Sequence, residues 1–182
     1  MNRKKAIILD RDGTLIEDKN YAYKIEDFEL LEGVIKGLKL LQNNFIFFIV
    51  TNQSGIGRGY YTIQDFQKFN DHLINVLKKQ KIVILKTYFC PHLREENCEC
   101  RKPKTKFIED IIKKFNVDIK QSWIIGDHPS DIQFGINAGC RTIFLTTGHG
   151  DKHLEELESL GIKPNLICDN FLKAAKEILK LL

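Results

Sequence analysis

The chain has no long hydrophobic run. Its longest, Phe45 to Val50 (FIFFIV), falls far short of the ~20 apolar residues that span a bilayer. Near the N-terminus Asp10 breaks the only candidate for a secretory leader. These absences point to a cytoplasmic protein with no membrane partner. A strong excess of one charge is missing as well. The 28 basic and 24 acidic residues leave a net charge of +4, too small to argue for nucleic acid. Short clusters such as Arg3-Lys4-Lys5 read as solvated flanks. There is no internal repeat, low-complexity stretch or interdomain linker. The glycine-rich GIGRG (55–59) matches neither a dinucleotide-binding fingerprint nor a P-loop.

What is present is an ordinary soluble balance, 43% apolar and 29% charged, over 182 residues. That length implies one domain, residues 1–182, with a single sizeable core. In a reducing compartment its five cysteines are expected to be thiols rather than disulfides.

Short β-rich runs alternate with longer amphipathic ones. Strands are expected at 5–9, 45–50, 84–89, 122–126, 141–146 and 164–169, the last at a sheet edge. Helices are expected at 33–44, 62–80 (capped by Thr62), 105–116, 130–139, 152–161 and 171–182. This order predicts a Rossmann-like three-layer α/β/α sandwich around a central, mainly parallel sheet. Trp123 is expected to pack beneath Asp127. Residues 11–32 and 90–104 do not fit the alternation, and loops of that length are usually functional or flexible. Neither interval has room for a separate cap domain.

Ligands of an open parallel sheet bind at the carboxyl ends of its strands. After the first predicted strand stands DRDGT (10–14), and after the second TNQSG (51–55). After the third comes a cysteine-rich loop ending in Arg101 and Lys102, and after the fourth GDHPSD (126–131). An isolated Asp-Gly is most simply a turn. Asp10 and Asp12 together with Asp127 and Asp131 are something else, because close carboxylates repel unless a cation sits among them. A hard, oxygen-liking ion such as Mg²⁺ suits that set, with Lys102 offsetting the remaining charge. If the chain stays extended past Leu9, Asp10 and Asp12 face one site and Arg11 faces away.

Four such motifs in this order resemble the haloacid dehalogenase (HAD) superfamily of phosphohydrolases over essentially the whole chain. The resemblance implies a phosphatase. Asp10 would be the nucleophile that becomes phosphorylated, and Asp12 the acid that then serves as base. Thr51 would bind a phosphoryl oxygen, and Lys102 would steady the transferring group. Asp10, the Asp12 carbonyl and Asp127 would hold Mg²⁺, with Asp131 in a supporting place. The loop CPHLREENCEC supplies Cys90, His92, Cys98 and Cys100, a Cys₃His set suited to a structural tetrahedral zinc. The zinc would aim Arg101 and Lys102.

Within the superfamily the zinc loop and TNQSGIGRG (51–59) look most like the heptose bisphosphate phosphatases. The histidinol-phosphate phosphatases share the loop and are the alternative. The resemblance implies substrate contacts from Asn52, Gln53, Ser54, Arg101 and Lys102. Arg58 would either reach a distal phosphate or tether its own loop. The partner would be a small phosphorylated sugar, and a monomer is expected. One departure is His128, where relatives usually carry Lys or Arg. Two other classes are weighed against this reading. A phosphoacceptor receiver module shares the sheet-end Asp, Thr and Lys, but keeps its phosphorylated Asp on the third strand and needs no zinc. A non-enzymatic zinc module would leave the four sheet-end motifs unexplained.

Overall fold

In a computed structural model describing residues 3–182, the predicted alternation folds into one six-stranded sheet with helices on both faces. The strands are β1 (Ala6–Leu9), β2 (Ile46–Asn52), β3 (Ile84–Cys90), β4 (Trp123–Gly126), β5 (Arg141–Leu145) and β6 (Leu166–Cys168). All pairings are parallel, in the order β3-β2-β1-β4-β5-β6. The helices are α1 (Val34–Leu41), α2 (Ser54–Gly57), α3 (Ile63–Lys79), α4 (Lys106–Phe115), α5 (Pro129–Ala138), α6 (Gly150–Ser159) and α7 (Phe171–Lys180).

The central strands are apolar at every position because both of their faces are covered. Ile7, Leu9, Phe47, Ile49 and Ile125 face α1, α3 and α7, where Leu38, Phe69, Leu73 and Ile178 meet them. Ala6, Ile8, Phe48, Val50 and Ile124 face α4 and α5, meeting Ile108, Ile111 and Phe134. The helix α3 starts on a reciprocal cap. Asp65 N–H donates to Thr62 Oγ1 (3.1 Å), and Thr62 N–H donates to Asp65 Oδ2 (2.9 Å).

The chain runs outward from β1 through β2 to β3, then returns to β4 on the other side of β1. That reversal is the topological switch point where an open α/β sheet forms its ligand crevice. Register aligns the strand ends there. Leu9 is level with Ile49 and with Ile125, and Asn52 is level with Cys90.

The differences from expectation are local. β2 continues through Thr51 and Asn52, so these residues are held by the sheet itself. The short helix α2 was not foreseen, since its SGIG sequence has no periodicity to read. Trp123 does not lie beneath Asp127. It opens β4, whereas Asp127 follows the strand's last residue, and Arg141 lies over the Trp123 ring 4.5 Å from the centroid. Residues 11–32 and 90–104 contain no helix beyond a 3-10 turn at Ile25–Asp27. The first of these segments is tied down by bridges between Asp12 and Ile16 and between Ile16 and Leu30.

Ile178, fully buried on the face of α7 turned toward α1, is remote from the strand ends. Ile178→Ala should cost ~2–5 kcal/mol in urea denaturation while leaving KM unchanged.

Candidate active site

Lys102 joins the loop after β3 to the residues after β1 and β4. Its Nζ donates to Asp10 Oδ1 (2.5 Å) and to the Val50 carbonyl (2.8 Å), and it pairs with Asp131 Oδ1 (2.6 Å). Those three contacts use the three N–H groups of an ammonium. Burial disfavours charge on this lysine, but Asp10 and Asp131 outweigh it and hold the group above the ordinary lysine range. Asp10, Asp127 and Asp131 each offer a carboxylate oxygen, all within 4.8 Å of one another. Burial first, then Asp131 and Asp12, push Asp10 up to about 7 against the pull of Lys102. Burial, Asp10 and Asp131 raise Asp127 as well. Three crowded acids with one lysine leave negative charge unmatched, and their hard oxygens fit a divalent cation such as Mg²⁺.

Two glycines make the crowding possible. Gly13 has a positive φ of 76°, and a Cβ there would lie 2.0 Å from Asp127 Oδ2. A Cβ on Gly126 would lie 2.3 Å from Asp131 Oδ2. Each carboxylate therefore occupies the space a side chain would take.

Asn52 is a sheet residue whose amide exchanges two hydrogen bonds with the Lys102 backbone. It accepts from Lys102 N–H (3.1 Å) and donates to the Lys102 carbonyl (3.3 Å). It thus fixes where the lysine begins. Gln53 is buried, and its Nε2 donates to Asp12 Oδ2 and to Thr51 Oγ1, both at 2.8 Å. Its Oε1 accepts from Tyr61 Oη at 2.7 Å. Arg11, expected to point away, is instead buried beside the site and contacts Asp12 through its guanidinium. The turn at 11–16 carries it inward, with Leu15 N–H and Ile16 N–H both donating to the Arg11 carbonyl.

These residues open onto a cavity of about 700 Å³. Asp10, Asp12, Thr51, Asn52, Gln53, Ser54, Arg101, Lys102, Asp127 and Asp131 all line it, but Arg58 is exposed outside its wall. The far wall carries His128, His149 and His153. His149 bridges two loops. Its N–H donates to Asp127 Oδ2 (3.3 Å), and its ring meets Asp18 at 3.1 Å. Sequence reading places His149 near this edge as a loop histidine that could touch substrate, but it gives no sign of Asp18, because nothing local shows that the loops after β1 and β5 meet. His128 caps α5, its Nδ1 accepting from Ser130 N–H at 3.0 Å. That bond puts the ring proton on Nε2, so this wall offers a neutral donor in place of a fixed cation.

The cysteine loop closes the opposite side. Cys90, Cys98 and Cys100 sulfurs and His92 Nδ1 stand within 4.8 Å of one another, with measured neighbours at 3.3–3.6 Å. A point central to atoms so spaced is about 2 Å from each, close to Zn–N and Zn–S bond lengths. The Arg101 guanidinium donates to the His92 carbonyl at 3.2 Å, so this cluster and the basic pair form one unit.

Comparison with known proteins identifies the family. Residues 99–174 match the HAD-hydrolase-like family. The chain is 49% identical over 142 residues to the D-glycero-alpha-D-manno-heptose-1,7-bisphosphate 7-phosphatase of Campylobacter jejuni, covering 78% of this chain and 81% of that protein. The chain belongs to the heptose bisphosphate phosphatase family. A beta-anomer enzyme of the same family from Helicobacter pylori is 44% identical, covering 80% of this chain and 85% of its own. The crystal structure of the D,D-heptose 1,7-bisphosphate phosphatase of B. bronchiseptica, complexed with magnesium and phosphate, superposes with a TM-score of 0.87. It is 29% identical and covers 98% of this chain and 99% of that one. The heptose bisphosphate phosphatase fold is therefore shared over nearly its full length.

An acid raised by folding takes up a proton when the chain folds. Its stabilising contribution is complete below the unfolded value of 3.8 and is lost as pH rises through about 7. In magnesium-free buffer without chelator, urea midpoints should therefore fall between pH 4 and 7 more steeply for the wild type than for Asp10→Asn. Superimposable slopes would refute the assignment.

Proposed function

We propose that the chain hydrolyses the C7 phosphate of a D-glycero-D-manno-heptose 1,7-bisphosphate through an aspartyl-phosphate, yielding heptose 1-phosphate. What carries this reading is Asp10. It is a buried carboxylate at the switch point, held by Lys102 and facing a sugar-sized cavity, in a chain 49% identical to a heptose bisphosphate phosphatase.

Asp10 attacks phosphorus, and the bond from phosphorus to the sugar oxygen breaks. Asp12 protonates the departing oxygen, then takes a proton from the water that attacks the phospho-Asp10. Lys102 keeps Asp10 oriented through its bond to Oδ1 and offsets charge on the transferring group. Thr51, next to last in β2 and lining the cavity, would bind a phosphoryl oxygen, and Asn52 sets the reach of Lys102. Asp10, the Asp12 carbonyl and Asp127 are the groups that would hold Mg²⁺. The ion supplies positive charge between two anions that otherwise repel, the phosphate and its nucleophile. Cys90, His92, Cys98 and Cys100 would hold a structural zinc, since four protein ligands would leave no place for a substrate atom.

Phosphate release should be measured side by side on both heptose bisphosphate anomers, fructose 1,6-bisphosphate and histidinol phosphate. The heptose bisphosphates should lead in kcat/KM by at least ~10-fold, a difference of about 1.4 kcal/mol in transition-state binding. A lead for histidinol phosphate would transfer the chain to that pathway. Asp10→Asn should abolish turnover with a cooperative unfolding transition retained.

The zinc assignment predicts one equivalent of zinc in the purified protein by elemental analysis. Cys98→Ser should lose it and raise hydrogen exchange across residues 90–104. Full metal content and unchanged exchange in that variant would exclude the cluster as a zinc site.

A further inference from the structure

Arg11 is among the largest fully buried side chains in the protein, and its position costs a great deal. Its guanidinium lies over the Phe66 and Phe69 rings, 5.2 and 5.1 Å from their centroids. Its Nη1 is buried with no hydrogen-bond partner. Its hydrogen bonds go to Asp12 and to Gln53, which itself holds Asp12. Nη2 donates to Asp12 Oδ1 (2.8 Å) and Oδ2 (2.9 Å), and Nε to the same oxygens at 3.2 and 3.1 Å. Nη2 also reaches Gln53 Oε1 (3.2 Å), while Gln53 Nε2 donates to Asp12 Oδ2 (2.8 Å). Fork, amide and carboxylate thus form one closed network.

Stability alone does not explain this placement. The surroundings are aromatic, and an apolar side chain of similar length would fill the space without burying a charge or stranding Nη1. Replacing a buried ion pair by well-packed apolar groups is often neutral or stabilising. The planar fork does one thing that an apolar residue or a lysine does not. It fixes both oxygens of a carboxylate in one orientation.

We propose that Arg11 is a positioning residue for proton transfer, holding Asp12 as the oriented carboxylate that accepts the proton of the attacking water. In that step the water oxygen bonds to phosphorus, its proton passes to Asp12, and the bond from phosphorus to Asp10 breaks to release inorganic phosphate. The inference rests on the aspartyl-phosphate reading given above. It adds that the second half-reaction depends on Arg11 more than the first does. An aryl phosphate separates the two, because its phenolate departs without needing a proton, whereas hydrolysis of the phosphoenzyme always needs the base.

The test uses the full chain with magnesium, 4-nitrophenyl phosphate and stopped-flow detection of nitrophenolate. Arg11→Met should keep the burst of nitrophenolate within about threefold of wild type and lower steady-state turnover ~10- to 100-fold, the lower range of general-base effects. Phospho-Asp10 should then accumulate and be visible by intact mass after acid quench. Arg11→Lys retains the charge without the fork and should give an intermediate turnover. It also serves as the test variant if Arg11→Met fails to fold. A burst and turnover that fall by the same factor would make Arg11 merely structural and overturn the proposal. So would turnover unchanged in both variants. If the wild type neither forms a phosphoenzyme nor releases phosphate, the failure lies in the phosphatase reading, and the wild-type control identifies it as such.

Discussion

The site depends on one ammonium. Lys102 Nζ touches Asp10 just past β1, Asp131 in the first turn of α5, and the Val50 carbonyl in β2. Three buried carboxylates at this spacing repel one another and resist ionising. The lysine makes their approach tolerable but does not balance it. The residual negative charge is what a divalent cation would offset, and such a cation would let a phosphate approach carboxylates that otherwise repel it. Charge imbalance in the protein is thus matched to charge in the reactants.

Holding that arrangement is a matter of anchoring loops to a rigid edge. The parallel sheet sets Leu9 of β1 level with Ile49 and Ile125, β2 runs three residues further to Asn52, and the register leaves little freedom to the residues that follow. The Lys102 loop starts from β3, at the periphery, and must reach inward. It is pinned at both sides, by the paired bonds to Asn52 and by the Cys₃His cluster through Arg101. A loop with no apolar core of its own is held by a cluster of side chains and by amide pairing.

Much of this was legible in the sequence, for definite reasons. Continuous apolar runs identify doubly covered strands, and the polar words that follow them identify the crevice. Asp10, Lys102, Asp127 and the four sulfur and nitrogen ligands could be read because each sits at a strand end or in a tight spacing. What escaped depends on contacts between distant segments. Alternation along a strand sends Arg11 away from the site, but the chain turns at residue 11 and brings the side chain under Asp12. The Phe66 and Phe69 pair that receives it looked like an ordinary helix stripe. Gln53 reads as a ligand contact in sequence, yet in the fold its amide is spent on Asp12, Thr51 and Tyr61. Asp18 and His149 are separated by 131 positions, and only the fold makes them neighbours.

The double duty of His128 has an evolutionary consequence. Its Nδ1 secures the first turn of α5, and its ring is part of the cavity wall. A mutation to lysine would bring a full positive charge to that wall. It would also forfeit the bond from Ser130, since lysine has no acceptor, at a cost of about 1 kcal/mol for a lost cap. Selectivity at the wall and integrity of the helix are therefore inherited as one character. A lineage that retunes the wall must find another partner for the freed N–H in the first turn, because that donor is backbone and is present whatever residue but proline stands at position 130.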